Sequence, residues 1–154
     1  MTDITVVGDA PEIDEIKRVV QLYVDGFQGG QEKLEEAFHK DAWIFAVDAD
    51  GKLATDLISD RFERWAASHR KVKSRFIAVT QAGEIASVLL GFDNSDNLAD
   101  SWVDVVTLVK VDGIWKITNK TAAHSTRAAW AKPNDPYSEN RENISPRSQR
   151  LPGS

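Results

Sequence analysis

Two polar residues stand out in the stretch SWVDVVTLVKVDGIWKITNK, residues 101–120, because they sit among apolar neighbours: the carboxylate of Asp104 and the amide of Asn119. A buried carboxylate is costly unless it is hydrogen-bonded or opens onto a wet cavity. In an apolar cavity it gains a raised pKa and can take a proton from carbon next to a carbonyl, with a tyrosine or histidine steadying the enolate. His124 lies a few residues on and is the natural partner. The alternatives are a satisfied core pair, or a one-residue bulge that returns Asp104 to solvent.

The register decides between faces. Asp112-Gly113 reads as a two-residue hairpin loop, which sets Leu108 opposite Ile117, Val106 opposite Asn119 and Asp104 opposite Thr121. One face then carries Trp102, Asp104, Val106, Leu108, Trp115, Ile117, Asn119 and Thr121, and the other carries the valines with Lys116 and Lys120. The tryptophan face is expected under the helices, because aromatics gain most from burial and lysines need water. This register sets His124 opposite Ser101, away from Asp104, so an Asp104–His124 dyad requires a bulge or twist near 101–103 or 122–124.

The elements that position these groups read as helices, a hairpin, a helix and four long strands. Ile13, Ile16, Val20, Tyr23, Val24 and Phe27 recur at helical spacing from Glu12 to Phe27, and a second short helix spans Gln31 to Phe38. AWIFAVDADGKLAT forms a hairpin at Asp50-Gly51; Ser59 caps a third helix that turns Phe62, Trp65 and Ala66 inward. A strand pair then turns at Ala82-Gly83. Residues 131–154 hold four of the five prolines and few large apolar groups, so the expected division is a domain over 1–130 and a flexible or surface-wrapped tail.

Composition narrows the function. At 154 residues, 42% hydrophobic and 28% charged, the chain suits one soluble domain. The absence of cysteine excludes disulfides and thiolate chemistry. Net charge is -5, and the one basic run, HRKVKSR at 69–75, closes a helix, so no nucleic-acid partner is expected. No apolar run approaches a membrane span and the acidic start is unlike a secretory signal, which points to the cytoplasm and no membrane partner. His39 and His69 read as helix-end or solvent residues, and the scattered histidines give no metal-site pattern. DADG at 48–51 lacks the further ligands of a calcium loop, and no cofactor is expected. Among five tryptophans, Trp43 and Trp102 are the expected walls of a cavity for a flat or hydrophobic molecule, and Arg75 can hold an anionic group or lie exposed at a strand end.

IKRVVQLYVDGF, LEEAFHKDAWIFAVDADGKL, ISDRFERWA and above all WVDVVTLVKVDGIWKITNKTAAH resemble the nuclear transport factor 2-like (NTF2-like, or SnoaL-like) superfamily, nearest its lumazine-binding branch, over roughly residues 11–125. The resemblance implies an α+β cone in which N-terminal helices pack on a strongly curved, mainly antiparallel sheet around a pocket. It also implies homodimers through the outer sheet face, here Val103, Val105, Thr107 and Val109. The superfamily includes ketosteroid isomerases, scytalone dehydratase, epoxide hydrolases and polyketide cyclases, and also pockets with no known reaction. Its enzymes commonly place an aspartate in the cone, with a histidine or tyrosine; the matching position is Asp104, with Tyr23 and Trp43 as neighbours.

Three readings follow. The protein binds a small organic molecule, aromatic or not, and acts on it as a cofactor-independent isomerase, dehydratase or cyclase, with Asp104, His124 and Tyr23 as catalytic residues and Trp43, Trp102, Asn119, Phe27 and Arg75 around the ligand. It binds such a molecule without reaction, or it is a dimeric interaction protein with a filled core. Fold alone does not choose among them.

Overall fold

A computed structural model describes residues 5–7, 10–48, 50–69, 71–94 and 102–124. The proposed tail at 131–154 lies outside these residues.

The elements run β1 (Thr5–Val7), α1 (Ile13–Phe27), α2 (Gln31–Ala37), β2 (Phe38–Val47), β3 (Leu53–Leu57), a 3-10 turn (Ile58–Arg61), α3 (Phe62–Ser68), β4 (Val72–Ala82), β5 (Ile85–Asn94), β6 (Trp102–Val111) and β7 (Ile114–His124). The strands form one sheet in the order β1-β4-β5-β6-β7-β2-β3, antiparallel except for β1–β4 and β2–β7. Three helices cover its concave side, an α+β arrangement.

α1 buries Ile16, Val19, Val20, Tyr23, Val24 and Phe27, the stripe its spacing foretells. Its start is held from the sheet. Glu12 accepts from Lys110 Nζ at 2.6 Å and Trp115 Nε1 at 3.0 Å, and its backbone N–H donates to Gln81 Oε1 at 3.1 Å. At its other end α1 approaches α2 so closely that a Cβ on Gly26 would lie 2.6 Å from the Leu34 side chain. Only glycine fits there without displacing α2.

The Asp112-Gly113 loop forms as expected, with φ of 50° and 78° supplying the two positive angles of the tight turn. The β2–β3 loop differs: Gly51 is left-handed, while Asp48 Oδ1 accepts from the N–H groups of Asp50 and Lys52, a longer turn than the two-residue one. Ser59 does not cap α3. A 3-10 turn precedes that helix, and no side chain caps either segment. Phe62 and Trp65 nonetheless point into the core.

The register of β6 and β7 departs from the regular one. Leu108 faces Ile117, but Thr107 faces Asn119, so Thr118 is an extra residue on β7. Its hydroxyl donates to the Thr107 carbonyl at 3.3 Å. Beyond this bulge every β7 residue changes face. Asp104 stands opposite Ala122, Val106 opposite Lys120 and Trp102 opposite His124. β2 carries a second irregularity beside it, advancing from Phe38 to Trp43 while β7 advances only from Ile117 to Asn119.

A buried carboxylate beneath the first helix

Asp104 lies on the concave face of β6, fully buried. Strand alternation puts it there, between Trp102 and Val106, with Leu90 of β5 on one side and Ala122 of β7 on the other. Tyr23, on the buried stripe of α1, reaches down to it and donates its hydroxyl to Asp104 Oδ2 at 2.8 Å. Lys120 Nζ lies 3.4 Å from the same oxygen, itself fully buried, with the Tyr23 ring 5.5 Å and the Trp65 ring 5.0 Å from its ammonium. Asp104 Oδ1 has no hydrogen-bond partner among the described residues.

Complete burial pushes the Asp104 carboxyl above the usual carboxylate range. Opposing this are first the Lys120 charge and then the Tyr23 hydrogen bond, with the Lys120 ammonium and the Trp102 indole favouring the charged form as nearby donors. The group is thus suited to hold or exchange a proton.

The side chains packed around Tyr23 and Trp102 are aromatic. Phe92 and Trp102 stack at 4.8 Å, Phe27 lies 5.9 Å from Trp102 and 5.2 Å from Trp65, and Tyr23 meets Phe38 edge to face at 5.1 Å. Trp65 Nε1 is buried with no hydrogen-bond partner among the described residues.

Of the residues singled out from the sequence, the fold gathers Asp104, Tyr23, Phe27 and Trp102. Asn119 is not with them. The Thr118 bulge turns it outward, where its amide donates to the Trp43 carbonyl at 3.1 Å. Trp43 is likewise corrected: β2 presents Ala42, Ile44 and Ala46 inward, leaving Trp43 on the outer face and 42% exposed. Arg75 pairs with Gly91 on that outer face, half-buried, its guanidinium packed against the glycine. The His124 backbone stands opposite Trp102, brought there by a bulge farther along the strand than the positions expected. Its side chain lies outside the described residues.

Lys120 and Trp65 are the members of this buried cluster that the sequence reading did not assign to a candidate site. Regular alternation put Lys120 on the lysine-bearing outer face. The available signal was charge: a carboxylate buried among apolar groups asks for a cation, and Lys120 is one register step from it. Among the described residues, no group of three or more histidines and carboxylates could hold a metal ion.

The family model described as "Putative lumazine-binding" matches residues 11–122. An NTF2-like protein of unknown function from Methylobacillus flagellatus is 31% identical over 77% of this chain and 95% of its own, with a TM-score of 0.63. A second, from Shewanella baltica, is 24% identical over 75% and 95% of the two chains, with a TM-score of 0.66. A "putative ketosteroid isomerase" from Shewanella frigidimarina shares the fold at 16% identity and a TM-score of 0.54, over 77% of this chain and 99% of that one. No curated protein matches the sequence. A family match across α1, the hairpin, α3 and the long strands, joined to this fold, is decisive: the chain belongs to the "Putative lumazine-binding" family of the NTF2-like superfamily.

Proposed function

We propose that the protein binds a small, flat organic molecule on the concave side of the sheet, with Asp104 as the polar group that meets it. The observation that carries this reading is the division of labour on one buried carboxylate: Oδ2 takes both Tyr23 and Lys120, while Oδ1 is left without a hydrogen-bond partner among the described residues. A buried acceptor without a partner is expensive, and a ligand N–H or O–H relieves the cost. The aromatic surroundings suit a planar ring, and the family description names a bicyclic heteroaromatic.

The finer reading is acid/base catalysis without a cofactor, as an isomerase, dehydratase or cyclase. Asp104 Oδ1 accepts a proton from carbon next to a carbonyl and returns it elsewhere on the molecule. Tyr23 and Lys120 hold the carboxylate in place through Oδ2 before the transfer; once Oδ1 carries the proton, the negative charge lies on the enolate oxygen of the bound molecule. His124 is the proposed second proton carrier, since its backbone stands opposite Trp102. Incubating the protein with small cyclic ketones in heavy water and following α-carbon exchange by proton NMR tests this. Exchange that disappears in Asp104→Asn supports catalysis; exchange indifferent to that change removes Asp104 as the base, and a bound but unchanged molecule leaves a binding module.

A homodimer through the outer sheet face completes the proposal. Trp43, Ile85 and Val105 are 42%, 53% and 44% exposed there and are apolar groups that such a contact would cover. The acidic net charge disfavours nucleic acid as a partner. No helix among the described residues is long and apolar enough to cross a membrane. A cytoplasmic location belongs to the same proposal.

A further inference from the structure

Asp104, Tyr23 and Lys120 are fully buried, so any molecule that meets them needs a way in. A groove of about 320 Å³ lies between α2, the start of β2 and α3, lined by Gln31, Glu35, Phe38, Lys40, Ser59 and Phe62. That volume is at the small end of ligand sites, enough for one or two fused rings. Its floor is two buried rings, Phe38 and Phe62, 5.7 Å apart, and its rim is exposed and polar. The Phe38 ring meets Tyr23 edge to face at 5.1 Å. One ring therefore separates the groove from the tyrosine that holds Asp104.

Phe38 stands at the junction of α2 and β2, its N–H donating to the Leu34 carbonyl. It pairs with Ile117, but the next β2 residue paired with β7 is Trp43, so the ladder is irregular just past it. The neighbouring strand bulges at Thr118, the same level of the sheet. Two irregularities side by side interrupt the β2–β7 ladder just past Phe38 and lower the cost of a local shift there. The rim carries one acid, Glu35, one base, Lys40, and the neutral Gln31 and Ser59, which offer donors and acceptors and no net charge.

We propose that this groove is the docking and entry site for a planar, neutral heteroaromatic molecule, with Phe38 as the ring that turns aside to admit it to Tyr23 and Asp104. The proposal rests on the concave face being a ligand site. Its ligand class follows from the aromatic floor and the charge-balanced rim.

The test is a titration of the full, isotope-labelled chain with 2-quinolinone, a neutral bicyclic lactam, followed by amide chemical shifts. Saturable shifts at Gln31, Lys40, Ser59 and Phe62 are expected, with affinity about tenfold weaker in Ser59→Trp, which fills the groove from an exposed position without touching the core. Phe38→Leu is expected to speed association by removing the obstructing ring, and Ser59→Trp carries the test if that variant does not fold. The proposal is overturned if no saturable shift appears up to about 1 mM, if the shifts fall elsewhere, or if Ser59→Trp binds like the parent. Asp104→Asn separates the two readings. If it abolishes binding while Ser59→Trp does not, the interior site stands and the groove falls; if the groove shifts survive it, the groove stands and the role of Asp104 falls.

Discussion

The Tyr23 hydroxyl donates to Asp104 Oδ2 at 2.8 Å across 81 residues of sequence, joining the first helix to a central strand inside the core. Tyr23→Phe keeps the ring and removes this bond. A charge-assisted hydrogen bond in a buried setting contributes about 2 kcal/mol, so urea unfolding should show a loss of that size with an unchanged slope.

Lys120 and Asp104 should behave as a unit. Lys120→Met alone leaves a fully buried carboxylate without its cation and is expected to cost about 3 to 5 kcal/mol. Adding Asp104→Asn to it should recover a large part of that loss, which a double-mutant cycle by denaturant unfolding measures as a coupling well away from zero.

Two carboxylates should respond to pH in opposite directions. Burial raises the Asp104 pKa above its unfolded value, so between those values the native state binds the extra proton. Its contribution is fully present below the ordinary aspartate range and is lost as pH rises through the folded value. Hydrogen bonding from Lys110 lowers the Glu12 pKa, so that contribution is present above the ordinary glutamate range and is lost as pH falls through the folded value. Unfolding followed across pH should flatten on the rising-pH side in Asp104→Asn and on the acid side in Glu12→Gln.

Deleting Thr118 removes the extra residue and leaves Asn119 opposite Thr107 and Lys120 opposite Val106, so Lys120 keeps its place beside Asp104. The variant should therefore lose less stability than Lys120→Met, read side by side by thermal or urea unfolding. A deletion as costly as Lys120→Met would show that the bulge itself is needed to place the pair.

These cases show where sequence reading reached and stopped. The α1 stripe, the Asp112-Gly113 turn and the burial of Trp102, Asp104, Val106, Leu108, Trp115 and Ile117 were legible, because periodicity and turn chemistry are local. The Thr118 bulge was not. A threonine in a strand is ordinary, and the extra residue shows only once β7 is set against β6 and against a β2 whose own ladder is irregular at the same level. Everything past it inverted, which exchanged Asn119 for Lys120. Trp43 misled for a related reason: β2 alternates between Ala42, Ile44, Ala46 and Trp43, Phe45, Val47, and bulk alone favours the wrong face. The larger set lies outward, where the proposed dimer would cover it.

Val105→Arg on that outer face tests the dimer. Light scattering should give the mass of two chains for the parent and of one for the variant, with the fold intact because Val105 is 44% exposed.

The central claim, that Asp104 is the polar anchor of a small-molecule site, is tested most directly by titrating the protein with lumazine and following ligand fluorescence in the parent and Asp104→Asn. The account predicts saturable binding that weakens by about tenfold or more when the carboxylate becomes an amide. Binding of equal strength in both proteins would contradict it, as would no binding of lumazine or other planar carbonyl heterocycles to the parent.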